Sequence, residues 1–211
     1  MIILKRFLLL LIVFAGITSC HNSTSQKPLA KRTAEYKFDA PKGWAVERIP
    51  FPIVFAPQIP YKGFEDLRFT PGWEYTTSDE HWSYTFLWWL EGKVDVDSSV
   101  LKQHLDDYYF GLLSQNVSKR SIPANKVFRP VATITKIKTD SGDTKTYQGT
   151  IKMLDYLDLT FPALMLNCVI HKKDCNAHTA FIFEISPQPF GHTVWKQLNE
   201  LNASFKCSST E

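Results

Sequence analysis

Between positions 64 and 91 nine residues are Phe, Trp or Tyr, and their spacing leaves few ways to fold them. In the run HWSYTFLWWLE, Trp82, Tyr84, Phe86, Trp88 and Leu90 recur at period two, with Ser83, Thr85, Leu87, Trp89 and Glu91 between them. Side chains at that period share one face of a β-strand. A row of large rings makes either the floor of a core or the wall of a ligand groove. Most of Trp82, Tyr84, Phe86 and Trp88 is expected to be covered, since full burial of each contributes on the order of 2 kcal/mol or more. The groove reading instead leaves Trp73, Trp82 and Trp89 accessible near the ends of the strand, where stacked rings suit sugars or other flat, partly apolar ligands.

The flanking segments supply the cover. Residues 50–60, PFPIVFAPQIP, hold four prolines, so they can neither donate a regular ladder nor continue a helix. Their apolar residues predict an ordered, extended loop lying across the sheet, in the position of a lid. After the aromatic strand, Leu101, Leu105, Tyr108, Tyr109 and Leu112 fall within about 100° of helical arc. Asp97 or Ser98 can cap the start of that helix, and Phe110 projects from its far side. His104, Asp106 and Asp107 read as its wet side. Residues 131–139 and 144–154 flank a turn at Asp140-Ser141-Gly142-Asp143, and 163–172 and 178–186 flank a second polar turn. Val194, Leu198, Leu201 and Phe205 then share a face of a closing helix. The expected fold is α+β: an antiparallel, twisted sheet of about seven strands packed with two helices.

The domain opens at EYKFDAPKGWAVERI, where Pro41 and Gly43 predict a turn between two strands of a hairpin. With Phe38, Pro41, Gly43 and Trp44, this opening resembles the start of the PsbP-like group of small α+β domains. The resemblance covers about ten residues and implies a PsbP-like sandwich; it carries no function.

The first residues belong to export. Lys5 and Arg6 precede a short apolar run, 7–16, too short for the roughly 20 residues that span a bilayer. Ile17-Thr18-Ser19-Cys20 follows, and it resembles the bacterial lipobox. That resemblance implies removal of 1–19, lipid on Cys20 and a membrane anchor. Residues 20–34 then form a tether of roughly 20 Å, and its Lys27, Lys31 and Arg32 are free to rest on anionic lipid. Some surface-exposed lipoproteins resemble each other in carrying acidic residues straight after the cysteine; this chain has none until Glu35, and that comparison implies the periplasmic side of the bacterial envelope. Of 24 Lys and Arg, 22 remain after that cleavage against 21 Asp and Glu, so no polyanionic partner is implied. Nucleic acid is set aside because no basic stripe accompanies the rings and export would remove the chain from cytoplasmic targets. Residues 35–207 have the length of one domain with a sizeable core, and 208–211 form a tail.

Four residues, Cys168, His171, Cys175 and His178, have ligand chemistry suited to zinc or copper. The odd spacing of Cys168 and His171 places them on opposite faces of a regular strand, which argues against that site. No metal or other cofactor is expected. With Cys20 lipidated, three cysteines remain in an oxidising compartment. Cys175 and Cys207 sit at element ends and are the favoured disulfide, leaving Cys168 free; Cys168–Cys175 and Cys168–Cys207 are the other pairings. No nucleophile elbow, zinc-protease helix or phosphate loop is present. Asp79, Glu80 and His81 form the one acid–histidine cluster leading into the aromatic strand. The reading that results is a non-catalytic, lipid-anchored binding or accessory module for a small molecule, glycan or protein. An envelope hydrolase using Asp79, Glu80 and His81 is one alternative, and a structural subunit of an envelope complex is another.

Overall fold

The computed structural model describes residues 36–208. The expected signal segment, Cys20 and the expected tether lie outside them, as do residues 209–211. Eleven elements follow in order: β1 (Tyr36–Lys37), β2 (Ala45–Pro50), β3 (Gly63–Phe69), β4 (Tyr84–Glu91), α1 (Ser98–Lys119), β5 (Val131–Lys136), β6 (Lys145–Leu154), β7 (Ala163–Cys175), β8 (His178–Ser186), α2 (Thr193–Ser204) and β9 (Lys206–Cys207). Seven strands make one antiparallel sheet in the order β2-β3-β4-β8-β7-β6-β5. It consists of two meanders, β2 to β4 and β5 to β8, joined where β4 pairs with β8. The fold is α+β, with one helix on each face of the sheet.

The period-two run becomes the central strand β4, and both its faces are covered. Tyr84, Phe86, Trp88 and Leu90 point into a core shared with Leu101, Leu105 and Tyr108 of α1. Phe86 stacks on Phe183 of β8 at 4.2 Å and on Tyr108 at 5.5 Å. Leu87 and Trp89 point the other way, into a core closed by Leu201 of α2 and by Phe205. Asp97 caps α1 by accepting hydrogen bonds from the Ser99 and Val100 amides at 2.9 and 3.0 Å. Two side chains of the expected wet side of α1 are buried. His104 bonds the Tyr61 hydroxyl at 2.8 Å, and Asp106 accepts the Ala132 amide at 2.6 Å, which fastens α1 to β5. Phe110 is partly exposed, with the Arg129 guanidinium 4.5 Å above its ring.

The proline-rich segment lies along α1. Ile53, Ala56 and Ile59 are fully buried, Phe51 meets Trp88 at 5.7 Å, and Phe55 meets Tyr108 at 5.1 Å. The approach depends on Gly111, where a Cβ would stand 1.8 Å from the Phe55 carbonyl oxygen.

The opening segment does not form the expected hairpin. A turn is present, with the Trp44 amide donating to the Pro41 carbonyl at 3.1 Å and Gly43 at φ +88°. It redirects the chain instead of pairing its arms. β2 forms a six-residue register with β3, whereas the two residues of β1 pair with β9 at the other end of the domain. A long ladder outweighs a two-residue one. The Tyr36 hydroxyl donates to the buried Asp66 carboxylate, which also receives both arms of Arg48 at 2.6 and 2.7 Å. Burial opposes charge on Asp66, but these donors hold its carboxyl below the usual range. Beside this small sheet Cys175 and Cys207 form a disulfide, and Cys168 is a buried free thiol.

Candidate functional site: an aromatic cavity beside the first helix

A cavity of about 180 Å³ opens between the edge strand β2, the proline-rich segment and α1. Its wall follows from the sheet alternation. Glu47 and Ile49 of β2, Leu67 and Phe69 of β3 and Tyr84 of β4 lie on the same face, and Tyr108, Leu112 and Gln115 of α1 complete it. Glu47 and Gln115 are exposed and form the rim, Trp73 is half-buried, and Trp82, Tyr84 and Tyr108 are buried at the back. The Tyr84 and Tyr109 hydroxyls share a hydrogen bond of 2.6 Å. Burial raises the hydroxyls of Tyr84, Tyr108 and Tyr156 above the usual tyrosine range, so these rings stay neutral.

Trp82 is the unusual residue of this wall. It precedes β4 rather than opening it, and its backbone takes φ +53°, the left-handed region that a bulky side chain rarely adopts. Its surroundings fix it there. The Trp82 amide donates to the Trp73 carbonyl at 2.8 Å, and its indole N–H donates to Asp155 Oδ1, also at 2.8 Å. Asp155 Oδ1 further accepts the Leu157 and Asp158 amides at 3.0 and 3.2 Å, and Oδ2 meets His81 Nε2 at 2.7 Å. One buried carboxylate therefore organises the loop after β6 and the loop before β4. Its two side-chain partners, His81 and Trp82, lie more than 70 residues upstream, so no local sequence pattern announces that contact.

Of the three expected ring residues, Trp73 and Trp82 meet at this cavity, 6.2 Å apart and edge to face. Trp89 does not join them: it is buried on the opposite face, 4.7 Å from Tyr36 and stacked on His178 at 4.7 Å. Sequence reasoning missed Phe69, Tyr108 and Tyr156 as wall residues, since each reads as ordinary core. The Asp79, Glu80 and His81 cluster is pulled apart. Asp79 is exposed, Glu80 accepts the Gly72 amide at 2.8 Å, and His81 turns inward to Asp155. The three side chains face three different partners.

The four metal-ligand types are likewise separated by the strand period. Cys168 enters the α1-side core, Cys175 is in the disulfide, and His178 stacks on Trp89. His171 lies on the α2 face of β7, where Nδ1 meets Asp143 Oδ2 at 2.7 Å and Nε2 lies 3.6 Å from Glu184 Oε1. Asp140, Asp143 and His171 bring donor atoms within 4.8 Å of one another, but the Lys173 ammonium already sits 2.5 Å from Asp143 Oδ1. A tethered cation thus supplies the positive charge there. Burial works against charging His171, yet the Asp143 and Glu184 carboxylates on either side raise its pKa to about 9.

Two broader depressions flank α2. The larger walls there are exposed side chains such as Lys37, Asp39, Glu200 and Lys206, which makes them shallow surface features rather than an enclosing site. Compared with family models, with curated proteins and with solved structures, the chain matches none.

Proposed function

We propose that this chain is a lipid-anchored module of the bacterial envelope, held at the periplasmic side through Cys20, that captures a small, partly flat molecule in its aromatic cavity without transforming it. The observation that carries the reading is the ring-lined cavity itself, which brings seven aromatic side chains to one opening between β2, the proline-rich segment and α1. A backbone strained at Trp82 and pinned by Asp155 in the cavity wall supports it, because strain persists only where the surroundings over-determine it, and such places cluster at ligand clamps. Size narrows the class. Apolar cavities near 150 Å³ admit benzene, so about 180 Å³ suits a single small ring or head group better than a glycan chain.

Two measurements test this reading. Titration of the purified protein with indole, followed by tryptophan emission, is expected to saturate and to raise the melting temperature by mass action. Failure of every small aromatic and aliphatic probe to bind removes the binding role and leaves the structural-subunit alternative. For the anchor, wild-type protein is expected in the membrane fraction and Cys20→Ala protein in the soluble fraction. A freely soluble wild type with a different N-terminus overturns the localisation.

A further inference from the structure

We infer that the cavity selects a positively charged ligand, a small organic ammonium of the quaternary or alkylated-amine kind. This rests on the cavity being a binding site and goes on to name what it binds. Seven of the twelve lining residues are aromatic, and Glu47 is the one acidic side chain among them. No Lys, Arg or His lines the wall, and the three tyrosines remain uncharged. Aromatic faces carry negative quadrupole charge, and Trp binds a cation best; cages of such rings are the recognised receptors for alkylated ammonium groups. Trp73 and Trp82 supply two indoles packed edge to face at 84°, so the cavity wall presents two differently oriented rings. Phe69 lies between Trp73 and Tyr84, with ring centroids at 4.5 and 5.6 Å, which extends the aromatic wall towards the rim.

The same ring chemistry is used elsewhere in the molecule. Arg48 stands 4.3 Å over Phe64, and Arg129 stands 4.5 Å over Phe110. Arg120 stands 5.4 Å from the Tyr156 centroid, outside the residues that line the cavity. A neutral apolar guest would gain the cavity's volume but not its charge, whereas an ammonium gains both. An anion would meet Glu47 at the mouth and find no cation inside.

Choline and its neutral carbon isostere, 3,3-dimethylbutan-1-ol, have nearly the same shape and differ in charge. Titrated into the full chain and followed by calorimetry and tryptophan emission, choline is expected to bind about tenfold or more tightly than the alcohol. Glu47→Gln, at an exposed position where folding is undisturbed, is expected to weaken choline about two- to threefold and to reduce its salt dependence, leaving the alcohol unchanged. Trp73→Leu is expected to weaken choline more than the alcohol. Phosphatidylcholine vesicles separate the two sources of such a group. Recruitment that choline competes away places the ammonium on a lipid, and choline binding without recruitment assigns it to a free solute; both outcomes uphold the inference. Equal affinity for choline and the alcohol overturns the charge selection while leaving the cavity a binding site. Saturable binding of indole with none of choline does the same. Loss of all three leaves neither the inference nor the binding role standing.

Discussion

Glu65 offers the sharpest test of the packing beneath the aromatic strand. It lies opposite Trp88 in the β3–β4 register, fully buried, and Oε1 accepts the Trp88 indole N–H at 3.1 Å while Oε2 accepts no hydrogen bond. Burial is the dominant influence and pushes its pKa from 4.5 up to about 8, with the Trp88 indole and the Tyr108 hydroxyl acting in the opposite sense. A carboxyl whose folded pKa is raised binds its proton more tightly when folded. Its contribution to stability is therefore complete below pH 4.5 and is lost as pH rises through about 8. At 1.36 kcal/mol per pKa unit, the difference between those two values corresponds to roughly 4 to 5 kcal/mol, an upper figure because water reaches opened states. Glu65→Gln keeps an oxygen for Trp88 and cannot ionise. Equilibrium unfolding in guanidinium is expected to find wild type and variant within about 1 kcal/mol at pH 5, and the variant more stable by several kcal/mol at pH 9. His171 also loses stabilisation as pH rises, between 6.5 and about 9, but it is present in both proteins and cancels in the difference. A difference between the two proteins that is the same at pH 5 and pH 9 refutes the reasoning.

Four more outcomes follow from the same structure. His171→Gln is expected to destabilise by about 3 to 5 kcal/mol at pH 6, where it takes the imidazolium from the buried Glu184 while Asp143 keeps Lys173, and by less at pH 10, where wild-type His171 is already neutral; denaturant midpoints at the two pH values check this. Reducing Cys175–Cys207, which spans 32 residues, is expected to cost about 3 to 4 kcal/mol by loop entropy. Cys168, its thiol pushed up to about 12 by burial, should be alkylated only on unfolding, as timed mass spectrometry can show. Gly111→Ala forces a methyl group onto the Phe55 carbonyl oxygen, so a loss of about 1 to 3 kcal/mol is expected, together with weaker ligand binding because Phe55 lines the cavity.

Much of this fold could be read from period and punctuation. The alternation from Tyr84 to Glu91 specified β4, the turn at 140–143 specified the β5–β6 hairpin, and residues at element ends pointed to the Cys175–Cys207 pairing. What escaped depends on partners remote in sequence. Tyr36 pairs with Cys207 across the whole domain, and Asp155 meets His81 and Trp82 across more than 70 residues. Polar residues at buried positions were equally opaque: Glu65, His104 and Asp106 look like solvent-facing residues until the proline-rich segment and β5 cover them. The cavity was half visible. Its two tryptophans stand out by type, but Trp89 has the same type, and only the strand's alternation, one residue out of phase, sends it to the other core.

The binding claim is tested most directly by the indole N–H resonances of the six tryptophans in a nitrogen-15 NMR titration with choline and, separately, with indole. Trp73 and Trp82 line the cavity, while Trp89 and Trp195 belong to the cores on the α2 side. Saturable shifts of Trp73 and Trp82, with Trp89 and Trp195 unmoved, are the predicted result. Titrations that leave Trp73 and Trp82 in place, or that move only Trp89 and Trp195, contradict it.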